Sequence, residues 1–178
     1  MVEDMFPVQF VEGINEGEEA DNSKLMEIGP YSHIAIEYQA QSAYKICQLE
    51  ILTATKAIGG AKECDVMILP NYIDKPNRDD LILAQGTMEL QPSKELMISI
   101  KWSEVMLEPN IIIRPNLTYW IVMTSKGKSL KLIKGKEGKK IRILDRNPYN
   151  MEWTELELID GGWEVMLRFY GKILPTQT

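Results

Sequence analysis

His33-Ile34-Ala35-Ile36-Glu37-Tyr38 sets Ile34, Ile36 and Tyr38 on one side of an extended chain and His33, Ala35 and Glu37 on the other. Successive side chains of a strand point to opposite faces, so this period of two predicts a strand with one face in a core. The same spacing recurs at Leu96, Ile98, Ile100 and Trp102, with Met97, Ser99 and Lys101 between them. It returns at Leu156 and Leu158 against Glu155 and Glu157, and at Val165, Leu167 and Phe169 against Met166 and Arg168. Lysines and glutamates on the second face suit antiparallel sheets with a solvated side. No segment sustains the i, i+3, i+4 apolar spacing of an amphipathic helix.

Turn chemistry separates these runs: Gly59-Gly60, Lys75-Pro76-Asn77, Gln91-Pro92-Ser93, Pro109-Asn110, Pro115-Asn116, Gly135, Asn147-Pro148 and Gly161-Gly162. Many short strands with regular breaks predict one all-β domain of the sandwich or barrel class over residues 29–178. At 178 residues the chain suffices for one good core and is short for two. The net charge of −6 argues against a general nucleic-acid binder, which needs a Lys/Arg excess to neutralise phosphate. No apolar run approaches the ~18 residues of a membrane span. With no signal-like start, cytoplasmic synthesis is expected, followed by incorporation into a virion or other particle.

Residues 1–28 read differently. Glu12, Glu16, Glu18, Glu19 and Asp21 are spaced by Gly and Asn, behind an apolar tip of Met5, Phe6, Val8, Phe10 and Val11. This predicts an extended acidic arm that docks on its own sandwich or on a neighbour. Between residues 126 and 140 lie seven lysines, among them Lys134, Lys136, Lys139 and Lys140. Leu130, Leu132, Ile141 and Ile143 around them predict a hairpin with its tip at Gly135–Gly138. Its lysines either block edge-to-edge pairing or meet an acidic partner, the arm being one candidate. Between subunits that contact would make a head-to-tail linkage.

Ile113-Arg114-Pro115-Asn116-Leu117-Thr118-Tyr119-Trp120-Ile121-Val122-Met123 resembles the "L-x-P-G-T-x-Y-W-I-V-L" segment of jelly-roll modules in bacterial surface, carbohydrate-associated and phage virion or tail proteins. Lys75-Pro76-Asn77 with Leu81–Gly86 is similar to an earlier turn and strand of the same modules, and Glu152-Trp153-Thr154 with Val165–Gly171 to their closing motif. The resemblance spans about residues 31–172. It implies an antiparallel jelly-roll sandwich. The first half of the segment also resembles the tyrosine corner of fibronectin-like sandwiches, which implies that the Tyr119 hydroxyl bonds back to the upstream backbone. Asn116 stands where Gly is usual, and Asn tolerates a left-handed turn.

A nucleophile–histidine site would have to use His33, the only histidine, which the alternation puts on the exposed side. No G-x-S-x-G, P-loop, G-x-G-x-x-G or H-E-x-x-H occurs, and no carboxylate pair is singled out for glycoside hydrolysis. No catalytic residue, metal or cofactor is assigned. Asp74, Asn77, Asp79 and Asp80 are oxygen donors on a loop but lack the calcium-loop spacing, and a solvated turn is the expectation. Cys47 and Cys64 are expected as buried thiols, with a disulfide left open. Trp102 and Trp120 fall in apolar runs and read as core. Trp153, Trp163 and Tyr149 read as a surface for stacking sugar rings. The expected function is therefore non-enzymatic assembly, with other copies or a larger particle as partner. Glycan binding is the alternative.

Overall fold

The computed structural model describes residues 7–55, 62–90, 98–147, 149–156 and 162–175. Among them the chain forms thirteen strands and no helix. One sheet holds β1 (Gln9–Ile14), β2 (Ala20–Ile28), β4 (Tyr44–Thr55), β7 (Ser99–Met106), β8 (Ile112–Ile113), β10 (Leu130–Gly135) and β13 (Leu167–Ile173). The second holds β3 (His33–Gln39), β5 (Glu63–Pro70), β6 (Ala84–Glu89), β9 (Thr118–Ser125), β11 (Ile143–Asn147) and β12 (Asn150–Glu155), in the order β12-β11-β3-β9-β5-β6. Every strand pair is antiparallel. β4 is the hub of the first sheet and pairs with β13, β10, β7 and β8.

The inward faces of both sheets share one core. Ile34, Ile36, Tyr38, Val66, Ile68 and Ile121 come from the second sheet, and Tyr44, Ile46, Leu49, Leu167 and Phe169 from the first. Tyr38 and Phe169 stack across this layer with centroids 4.1 Å apart. The Tyr38 hydroxyl lies 2.6 Å from that of Tyr44 and donates to Glu12 Oε1 at 2.6 Å. Burial pushes both phenols well above their ordinary range, so the pair stays neutral and holds the end of β1 to the core. At one flank the sheets are joined edge to edge: Gln85 and Glu108 exchange two N–H···O=C bonds of 2.9 Å. Gly86 allows that approach, because a Cβ there would collide with the Met106 carbonyl.

Several expectations are corrected. Of the two docking places expected for the N-terminal segment, residues 9–28 take their own sandwich, as sheet strands rather than a loose arm: β1 pairs with β13, β2 pairs with β10, and Met26 and Ile28 enter the core. Gly135–Gly138 is not the tip of a hairpin between paired strands. β10 sits in the first sheet and β11 in the second, so the segment between them crosses the sandwich. The face of β7 is also inverted. Ser103 and Val105 point inward, while Ile100 and Trp102 join Leu52, Ala54, Ile133 and Met166 in an apolar cluster on the outer face. Cys47 and Cys64 are both buried and unpaired, and burial lifts the Cys64 thiol to about 12. Met5, Phe6, Gly59-Gly60, Gln91-Pro92-Ser93, Leu96, Met97, Pro148, Glu157, Leu158 and Gly161 lie outside the described residues.

A candidate binding groove on the outer face of the second sheet

β11 turns Ile143 into the core and Leu144 to the opposite face, where it meets Ala35, Leu69, Trp120 and Val122 in a separate apolar cluster. Arg146, two residues on, shares that outer face and stands in register with His33 of β3. Trp153 of β12 packs against the same cluster. The Arg146 guanidinium sits 4.3 Å from the Trp153 ring centroid. Its Nε donates to His33 Nδ1 at 2.9 Å and its Nη2 to Asp79 Oδ2 at 2.6 Å. A guanidinium this buried, with its side chain 6% exposed, is retained only where its donors are used. Here it fixes a ring, an imidazole and a loop at once.

That loop is the β5–β6 connection, and the expected solvated turn is instead tied down across the outer face. Asn71 Oδ1 accepts from Trp120 Nε1 at 2.8 Å, Asp74 Oδ1 from Arg142 Nη1 at 2.8 Å, and Asp79 from Arg146. With Asp80 paired to Arg78 at 3.0 Å, all three acids weighed as calcium ligands are held by arginines. Among the described residues, no three His, Cys, Asp or Glu side chains converge as a metal site. Inside the loop, Asn71 bridges Pro76 and the Tyr72 N–H donates to the Lys75 carbonyl at 2.8 Å. The turn residues Ile73 and Asp74 have φ of 49° and 63°. Two consecutive left-handed residues mark a type I′ turn, which favours Asn and Gly. A β-branched residue is strained there, and Ile73 is 76% exposed, so its packing offsets little of that strain. Ile73→Asn should therefore raise stability by about 1 kcal/mol, read as a higher midpoint in urea.

Between the loop and β12 lies a groove of about 700 Å³. Its walls include Trp153, Tyr72 and Leu81, with Asn77, Asp79 and Glu152 among its polar groups. Asp79 Oδ1 is buried and has no hydrogen-bond partner among the described residues. A mostly apolar lining with a few polar groups is the composition of a small-molecule or oligosaccharide site.

His33 is half-buried beneath this groove rather than exposed. Burial, then the adjacent Arg146 guanidinium, hold its imidazole below the ordinary value near 6.5, with Asp79 opposing. As pH falls below that value the unfolded chain takes up the proton first. The stabilisation is thus complete above about 6.5 and is lost as pH falls through the folded value. The melting temperature should drop between about pH 7 and pH 5, and drop less in His33→Gln.

The other residues singled out from sequence are scattered. Tyr149 is 97% exposed on the β11–β12 turn and does not line the groove. Trp163 bridges Ile141 away from it, half-buried against the core, with Lys134 Nζ 5.5 Å from its ring centroid. Phe10 meets Tyr170 edge-on at 5.8 Å. Glu16 and Glu18 lie in the β1–β2 turn, and Glu19 pairs with Lys136 at 2.8 Å. Lys134 pairs with Glu164 at 3.4 Å. Lys139 is held through its backbone by Asn15, whose side chain bonds its N–H and its carbonyl, each at 2.8 Å. Lys140 lines a small pocket beside Asn15. Several of the acids and lysines that suggested a linkage between subunits therefore find partners inside one chain. Tyr119 accepts a hydrogen bond from the Arg114 N–H at 2.9 Å.

A second cleft, of about 410 Å³, opens between β6 and β7 and is lined by Glu89, Glu104, Lys101 and Trp102. Glu104 accepts a hydrogen bond from Gln48 at 3.1 Å, and Arg168 lies 3.8 Å from the Trp102 ring centroid. Sequence reasoning missed Tyr72 and Arg146 as site residues and weighed Asp79 only as a loop oxygen donor. Their role depends on contacts such as Arg146–Asp79, 67 residues apart, for which no local pattern exists. No protein-family model matches this chain, and a search of curated proteins finds no match.

Proposed function

We propose that this protein is a non-catalytic glycan-binding module of the jelly-roll type and that the groove at Trp153 is its binding site. The observation that carries the reading is the Trp153 ring, fixed by a buried guanidinium 4.3 Å away, in a groove with polar groups on its other wall. A sugar ring presents an apolar C–H face that stacks on an indole, and hydroxyls that need directed donors and acceptors. Asn77 and Arg78 supply donors, and Asp79 and Glu152 supply acceptors. The jelly-roll assignment rests on the resemblance of residues 113–123 to such modules, with which two antiparallel sheets are compatible.

The test is calorimetric titration with mono-, di- and trisaccharides of glucose, galactose, mannose and N-acetylglucosamine. Saturable binding that disappears in Trp153→Ala and survives in Trp163→Ala supports the reading. Absence of binding across the panel, or binding indifferent to Trp153, overturns it.

A second reading, assembly with other copies in a virion or similar particle, is favoured by Val8 and Phe10. Both are exposed, at 51% and 44%, at the start of edge strand β1. Light scattering at low and high protein concentration tests it: a strict monomer at both removes self-association through that edge.

A further inference from the structure

Tyr72 precedes the left-handed Ile73-Asp74 turn and is 56% exposed, yet it lines the same groove as Trp153. Its loop is pinned on both sides of it, by Trp120 through Asn71 and by Arg142 through Asp74, both at 2.8 Å. Ordered, exposed and apolar, such a ring is preorganised for contact, because little conformational freedom is left to lose on binding. The strain at Ile73 fits this placement: sparsely populated backbone conformations persist where the surroundings over-determine them, and they cluster at ligand clamps.

We infer that Tyr72 is a second stacking wall and that the ligand is an oligosaccharide laid across both rings rather than a single sugar. The inference rests on the glycan reading of the groove and deepens it. One sugar unit stacks on Trp153, a later unit reaches Tyr72, and Asn77 and Asp79 contact hydroxyls between them. A monosaccharide engages only the Trp153 end.

The experiment titrates the full chain with a monosaccharide from the panel and with its di- and trisaccharides. In the unaltered protein the trisaccharide should bind about tenfold or more tighter than the monosaccharide. Tyr72→Ala should abolish that gain, bringing the ratio of trisaccharide to monosaccharide affinity down to about one. Tyr72 is mostly solvent-facing, so the variant should fold, which its melting curve checks. A trisaccharide that binds no better than the monosaccharide overturns the inference, as does a gain that survives Tyr72→Ala. If Trp153→Ala abolishes binding while Tyr72→Ala changes nothing, only the second wall is lost. If no sugar binds the unaltered protein, the glycan reading fails and this inference with it.

Discussion

Deleting residues 1–28 is expected to unfold the protein rather than to release a trimmed, monomeric sandwich. Met26 and Ile28 are 5% and 3% exposed and belong to the shared core. Fully burying side chains of this size stabilises by about 1.5–3 kcal/mol each. The deletion also takes β2 from β10 and β1 from β13, leaving two strand edges bare. Glu12 would no longer accept from the Tyr38 hydroxyl, and Asn15 would no longer hold Lys139 and the Val165 carbonyl. Against a total stability of about 5–15 kcal/mol for an ordinary domain, these losses together are decisive. Circular dichroism in urea should show no cooperative transition for the truncated chain. A sigmoidal transition near that of the full protein would mean that these strands are dispensable.

The largest single-residue effect is expected at Arg146. Arg146→Ala removes a buried cation, leaves Asp79 and His33 without their partner, and withdraws the support beneath the Trp153 ring. Breaking a buried ion pair from one side costs about 3–5 kcal/mol. Because Asp79 is 40% exposed and water can reach part of it, the lower end, about 3 kcal/mol, is expected here. Arg142→Ala is the control. Arg142 contacts Asp74, Glu37 and Glu155 on the same face but is 30% exposed, beside two acids that are mostly in water. Exposed pairs contribute about 0–1 kcal/mol each, so its loss should be markedly smaller. Urea melts of the two variants decide this, and equal midpoints would contradict the arrangement.

How far the fold was legible depended on what lay behind each strand. The alternation at Ile34, Ile36 and Tyr38 and at Val165, Leu167 and Phe169 gave the correct inward face, because those residues all reach the core. At Ile100 and Trp102 the same rule chose the wrong face. There the outer side of the sheet carries its own apolar cluster, so alternation has no unique inward direction. The N-terminal strands were hidden by their acids. Glu12 and Glu19 resemble a solvated leash until Tyr38 and Lys136 are beside them, 26 and 117 residues away.

Trp153 could be singled out by residue type and by its place near a strand start. Its companions could not: Tyr72 lies in a loop without Gly at the tight turn, and Ile73-Asp74 lacks the Asn-Gly signature that would have marked a hairpin. Arg146 alternates with neighbours as a surface cation would, and it is buried by partners distant in sequence: the Asp79 loop, His33 and the Trp153 ring.

The most direct measurement is the movement of the four tryptophan indole N–H signals in a nitrogen-15 correlation spectrum as oligosaccharide is added. Binding in the groove requires the Trp153 signal to shift saturably, with Trp102 and Trp163 unmoved. A shift confined to Trp102 or Trp163, or none at any sugar concentration, would contradict a glycan site at Trp153.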